Sequence, residues 1–242
     1  MKIIGKTDKG IQRNKNQDNL FFKMLDENTS LTIVCDGMGG AKGGLTASTM
    51  AVNEISGYII ENYSDLLSDD EIKKIILDAV TNANKLIYEK AVENEFLKGM
   101  GTTTVCSLNK KNRAYIASVG DSRGYKITQN TIMQITKDHS FVQEMVDLGQ
   151  LSKNEAKEHP KKNIITRAIG VEAEIKIDYF TRDFAVNDKL LICSDGLSNM
   201  VDDLIILKIV NEDFDNCCTR LIQEANNKGG LDNITITAVL FE

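Results

Sequence analysis

The 242-residue sequence predicts an α+β fold in which antiparallel strands are covered by helices. Three observations carry that prediction. Two amphipathic helical patterns follow a pair of strand patterns, and strand patterns then resume. That order argues for sheets with helices laid on them rather than alternating βαβ units. Short turn sequences separate the strand patterns between residues 101 and 135, as in an antiparallel meander. A single proline and the lack of a Pro/Ser-rich linker leave one domain over residues 1–242, long enough to bury a full core.

Residues 3–7 are the first predicted strand. The polar loop 8–19 follows, with Arg13 and Asp18 set among amides. By composition it is a solvated turn or a working loop. In the second case Arg13 grips a phosphate through its bidentate fork and Asp18 orients a metal-bound water. Strand 20–25 hairpins through Asp26-Glu27-Asn28-Thr29 into the apolar run 31–35. That run delivers Asp36 into Asp36-Gly37-Met38-Gly39-Gly40, where glycines let the backbone approach a ligand closely.

Ala47, Ala51, Ile55 and Ile59 recur at helical spacing and predict a helix over 46–62. Ser68-Asp69-Asp70-Glu71 is a capping-box pattern that opens a second, longer helix running to about residue 96. Strands 101–108 and 113–119 flank the turn Asn109-Lys110-Lys111-Asn112. Asp121-Ser122-Arg123-Gly124 turns the chain into 125–128, and Gln129-Asn130 into 132–135.

From 137 to 168 the texture changes to short helical patterns, 141–148 and 152–157, and this insertion is placed to cover a site. His139 and His159 both fall in it and read as surface or locally hydrogen-bonded groups. Strand character returns at 175–180 and 190–193. A helix over 217–226 is ended by Lys228-Gly229-Gly230, and the last strand runs 234–240.

Composition excludes several classes of function. The net charge of −6 disfavours nucleic acid as a partner, since phosphate backbones are held by clustered Lys and Arg. No stretch approaches the roughly 18 apolar residues of a membrane span, and the first five residues turn polar too soon for a signal peptide. A cytoplasmic protein is the expectation. The five cysteines are odd in number and lack zinc-ligand spacing, and three lie inside apolar runs, so they read as core residues in a reducing compartment.

Four carboxylates stand beside apolar runs and glycine: Asp36, Asp121, Asp195 and Asp232. Each alone reads as a turn. Gathered at one point, they would offer the hard oxygen donors that Mg²⁺ and Mn²⁺ prefer, but spacing alone does not bring them together.

Taken in order, Arg13 with Asn16-Gln17-Asp18, Asp36-Gly37-Met38-Gly39-Gly40, Gly101-Thr102-Thr103, Gly120-Asp121-Ser122-Arg123, Ser194-Asp195-Gly196 and Gly230-Leu231-Asp232-Asn233-Ile234-Thr235 resemble the type 2C metal-dependent protein phosphatases, in their compact bacterial branch. The resemblance spans nearly the whole chain. It implies a four-layer α-β-β-α sandwich of two antiparallel sheets flanked by helices, with residues 137–168 as a flap beside the site.

It also implies phosphoserine and phosphothreonine proteins as substrates, an opposing Ser/Thr protein kinase, and a monomer using two Mn²⁺ or Mg²⁺ ions. Asp36 would bridge the ions, Asp195 and Asp232 would complete their shells, the Gly37 carbonyl would ligate one, and Asp18 would act through water. Arg13 would hold the phosphate, and Asp121 with Asp195 would make a third, weaker metal position. A hydroxide bridging the two ions would attack phosphorus in line. Met38 departs from members with histidine there, leaving a metal-bound water or His139 to protonate the leaving group.

Two readings from other classes compete with the enzyme. One is a non-catalytic phosphoprotein-binding module of the same fold. The other is a plain divalent-ion binder, against which stands the lack of Asp-x-Asp-x-Asp-Gly spacing.

Overall fold

The computed structural model describes the backbone of residues 1–242 and every side chain but those of Ala41, Lys42 and Lys153. The chain opens with strands β1 (Lys2–Asp8), β2 (Asn19–Asp26), β3 (Thr29–Cys35) and β4 (Gly37–Met38), then helices α1 (Gly40–Asn62) and α2 (Asp69–Glu93). Next come β5 (Gly101–Thr102), β6 (Thr104–Lys110), β7 (Arg113–Val119), β8 (Arg123–Ile127) and β9 (Ile132–Gln134). The insertion carries α3 (Phe141–Asp147) and α4 (Lys153–Glu158). The chain closes with β10 (Asp178–Asp183), β11 (Lys189–Cys193), α5 (Asp195–Ser198), α6 (Asp203–Glu212), α7 (Cys217–Asn227) and β12 (Ile234–Leu240).

Two five-stranded antiparallel sheets result, ordered β1-β12-β11-β8-β9 and β10-β7-β6-β3-β2. Three apolar layers explain why they stack as a sandwich. Val34, Val105, Ile116, Leu190, Ile192 and Val239 fill the space between the sheets. Leu31, Ile33 and Cys106 face the other way, onto Ile55, Ile59 and Ile76 of α1 and α2. On the opposite side Leu191, Cys193 and Ile236 meet Ile206 and Leu221 of α6 and α7. Strands such as β3 and β11 are buried on both faces, so they read as continuous apolar runs rather than alternating ones. The expected four-layer α-β-β-α architecture is what the molecule has.

Several elements differ from the sequence expectation. The stretch 101–135 is not one meander: β7 pairs with β6 and β10, whereas β8 pairs with β11 and β9. The chain crosses between sheets at Gly120-Asp121-Ser122, with Gly120 at φ +101°. Strand 101–108 breaks at Thr103, because Gly101–Thr102 pairs with Gly37–Met38 while Thr104 onward pairs with β3 and β7.

Helix α1 begins at Gly40, six residues before the predicted start at residue 46. Its first turn is glycine-rich, and a Cβ on Gly44 would stand 2.5 Å from the Gly37 carbonyl oxygen. Strand β10 lies at Asp178–Asp183, not 175–180, since Ile175 and Ile177 pack against the helical layer before pairing begins. Helices α5 and α6 were not foreseen, although Ile206, Ile209 and Val210 carry the helical period. The insertion is closed at its base: Phe141 N–H donates to Ile164 O at 2.8 Å and Thr166 N–H to His139 O at 2.8 Å.

Candidate metal centre

Asp36 directly follows β3, and its backbone is clamped from β5 and the residue after it. Thr103 N–H and the Thr102 hydroxyl each donate to its carbonyl at 2.8 Å, and its own N–H donates to Thr103 Oγ1 at 3.0 Å. The main chain is thereby satisfied, and the carboxylate is left for other work. Asp121 sits in the crossing between sheets, Asp195 opens α5, and Asp232 precedes β12. Asp18, only 5 % exposed, comes from the loop before β2.

These five carboxylates converge at one end of the sandwich, and the charges of the group act on Asp18, Asp36, Asp121 and Asp195. Burial, with the charges of Asp18, Asp195, Asp121 and Asp232 behind it, holds Asp36 well above the usual carboxylate range. Asp18 is pushed up to about 7, Asp121 to about 8 and Asp195 to about 6, in each case by burial first and neighbouring carboxylates after it. Asp195 Oδ2 accepts from Asn199 at 3.0 Å, while its Oδ1 is buried and unpartnered. Among the described residues no three acidic, histidine or cysteine side chains are gathered tightly enough to hold a metal ion as they stand. The convergence is one of mutual electrostatic range.

Two small side chains set the arrangement, and the sequence gives neither a role beyond its place in a motif. The Ser194 hydroxyl donates to Asp18 Oδ2 at 2.7 Å while accepting the Thr235 N–H at 3.0 Å, tying loop, β11 and β12 together. Asn233 stitches loop 8–18: its Oδ1 accepts from Gln17 N–H at 2.8 Å, and its Nδ2 donates to Lys9 O at 2.7 Å and Lys15 O at 2.9 Å. Gly196 must be glycine here, because a Cβ would run into the Asn233 carbonyl oxygen. Gly37 packs backbone to backbone on Gly44 and Gln17, which no side chain would permit.

Arg13 sits at the mouth of the site, half-exposed, with Nη2 2.7 Å from Asp232 Oδ2; Asp232 Oδ1 accepts the Asn233 N–H at 2.8 Å. His139 is enclosed, 4 % exposed. Its Nδ1 accepts the Gly120 N–H at 3.0 Å, so the neutral ring carries its proton on Nε2, 3.2 Å from Asp178 Oδ2. Burial keeps its pKa below the usual value despite Asp178. The ring braces the Asp121 turn, and its one proton is directed at Asp178 rather than outward. His159 holds the Lys161 N–H at 3.1 Å within the insertion. All five cysteines are buried free thiols, with Cys35 and Cys193 pushed up to about 12 by burial, far from any thiolate role.

Comparison with known proteins agrees with this geometry. A family model for protein phosphatase 2C matches residues 9–234. The serine/threonine phosphatase stp of Listeria welshimeri is 41% identical over 236 residues, covering 97% of this chain and 93% of its own. The protein phosphatase PhpP of Streptococcus pneumoniae is 37% identical over 241 residues, covering 99% and 97%. The crystal structure of the serine/threonine phosphatase Stp1 from Staphylococcus aureus superposes with a TM-score of 0.92 at 35% identity, over 99% of this chain and 94% of that one. With acidic strand ends, sandwich and full-length similarity in agreement, the chain belongs to the protein phosphatase 2C family.

Proposed function

We propose that this chain, a protein-serine/threonine phosphatase, hydrolyses phosphoserine and phosphothreonine in proteins at the acidic end of its sandwich, with divalent metal ions held by Asp36, Asp195, Asp232 and the Gly37 carbonyl. The observation that carries this reading is the convergence of five carboxylates whose charges oppose one another, one with a buried oxygen that nothing in the protein satisfies. The family is metal-dependent, and the donor set fits: carboxylate and carbonyl oxygens suit Mn²⁺ or Mg²⁺ and offer no soft ligand to other metals. When bound, such ions supply a hydroxide nucleophile at neutral pH and offset charge on the phosphoryl oxygens.

The chain's own residues do the rest. Asp18, fixed by Ser194, orients water at the site, and Asp121 with Asp195 forms a third, more exchangeable ion position. Arg13, anchored by Asp232, presents its remaining guanidinium N–H groups to the phosphate, where charge-assisted bonds both position the group and stabilise its transition state. Enclosed His139 leaves protonation of the departing alkoxide to water rather than to a side chain.

In this reading the opposing partner is a Ser/Thr protein kinase and the protein acts as a cytoplasmic monomer; five free buried thiols support a reducing setting. No helix is long and apolar enough to cross a membrane. The test is hydrolysis of para-nitrophenyl phosphate and a phosphothreonine peptide with Mn²⁺, with Mg²⁺ and with chelator. Turnover is expected with metal only, and Asp36→Asn should abolish it together with metal binding by calorimetry. A folded protein inactive under every metal would leave the binding-module reading in its place.

A further inference from the structure

Beside the acidic site lies a cavity of about 240 Å³ that the chemistry above does not use. Met38, from the glycine loop that carries Asp36, forms one wall, and Ile165 and Ala168 from the end of the insertion, with Val171 and Ile175 from the segment that follows it, form the others. Its volume is below the roughly 300–1,000 Å³ of small-molecule sites, which suits one side chain rather than a cofactor. The floor is fixed by Gly101, over which Met38 Cε and Val171 Cγ2 converge; a Cβ there would stand 2.7 Å from Val171.

The wall is also braced from behind. Thr102 and Ile169 exchange backbone hydrogen bonds of 3.0 and 2.8 Å, and Arg167 pairs with Asp178 at 3.0 Å. Asn84 of α2, 1 % exposed, accepts the Gly170 N–H at 2.7 Å and donates to the carbonyls of Glu172 and Ala173. The cavity is therefore a formed feature. The charged groups of the lining are balanced, Arg167 by Asp178 and Lys176 by Glu172, which leaves the apolar side chains to set what the cavity accepts.

We propose that this cavity is a specificity pocket that takes one apolar side chain of the substrate polypeptide, an inference that rests on the phosphatase reading above. Met38 is two residues from Asp36, and an extended chain advances about 3.3–3.6 Å per residue, so the side chain belongs to a residue roughly one to three positions from the phosphorylated one. The protein supplies the pocket through Val171 and Ile175, neither of which belongs to the acidic site.

The experiment assays wild type, V171D and I175S with Mn²⁺ on two substrates: para-nitrophenyl phosphate, which has no flanking residues, and phosphothreonine peptides in which leucine is moved through three positions on each side of the phosphoresidue in a serine background. Leucine at one position is expected to raise kcat/KM about 10-fold or more, the size of effect one apolar group has in a fitted pocket. That gain should vanish in at least one of the variants while turnover of para-nitrophenyl phosphate persists. No gain at any position in wild type, or a gain that survives in both variants, would overturn the pocket while leaving the phosphatase standing. Loss of both activities together in both variants would overturn it too, since the residues would then be serving the fold. Absence of para-nitrophenyl phosphate turnover by wild type would instead overturn the phosphatase reading.

Discussion

In the proposed reading one guanidinium, that of Arg13, serves two tasks. One nitrogen pairs with Asp232 at 2.7 Å, which steers the side chain over the site, while its half-exposed position leaves other N–H groups facing outward. In that reading, truncating it would remove phosphate contacts but leave the carboxylates that would hold metal. Arg13→Ala is therefore expected to lower kcat/KM on a phosphothreonine peptide about 10- to 100-fold, the value of one charge-assisted hydrogen bond at about 1.5–3 kcal/mol. Mn²⁺ affinity by calorimetry should change little, which separates this loss from that of Asp36→Asn.

At the scale of elements, a helix that carries none of the acidic residues shapes the ground beside them. The buried Asn84 amide of α2 is the only support given to Gly170 N–H among the described residues' side chains, and it also holds two carbonyls of the following loop. Asn84→Leu keeps the volume and removes all three bonds, leaving a buried donor unsatisfied. A loss of about 1–3 kcal/mol in urea unfolding is expected, with faster hydrogen exchange at Gly170 than a uniform destabilisation would give.

Elements of this kind show where the sequence is readable. Ser68 and Glu71 form the capping box that their spacing predicts, and β3, β7, β11 and β12 fall within two residues of their predicted bounds, because strands so fully buried are dense in apolar and β-branched residues and bounded by polar turns. The start of α1 was hidden because glycines, chosen for close approach to Gly37, carry no periodicity. The division of the supposed meander was hidden for another reason. A turn that joins two strands of one sheet and a turn that passes between sheets have the same local composition, and only pairing with distant β10 and β11 distinguishes them. The acidic residues were identifiable from their places beside apolar runs; Ser194, Asn233 and Asn84 act through partners about 40 to 220 residues away, which no local pattern records.

For the whole molecule, the gathered carboxylates make stability depend on pH in an unusual sense. Asp18, Asp121 and Asp195 hold protons in the fold up to about 7, 8 and 6, whereas in the unfolded chain each releases its proton near 3.8. Between about pH 4 and 8 the folded state thus binds more protons, and folding stability falls as pH rises through that window. Chelator-treated protein is expected to show a Tm that declines from pH 5 to pH 8, and Mn²⁺ should erase most of the decline by replacing the protons. A flat profile without metal would contradict the clustering.

The site also draws on both sheets at once: Asp36 directly follows a strand of one, while Asp195 and Asp232 flank β11 and β12 of the other, about 160 and 196 positions along the chain. No partly assembled chain with a single sheet can present the set. Turnover is consequently a signal of completed folding, and contacts spanning such sequence distances are slow to form. In refolding from denaturant with Mn²⁺ present, the far-ultraviolet signal of helices and strands should return first, and phosphatase activity should lag behind it.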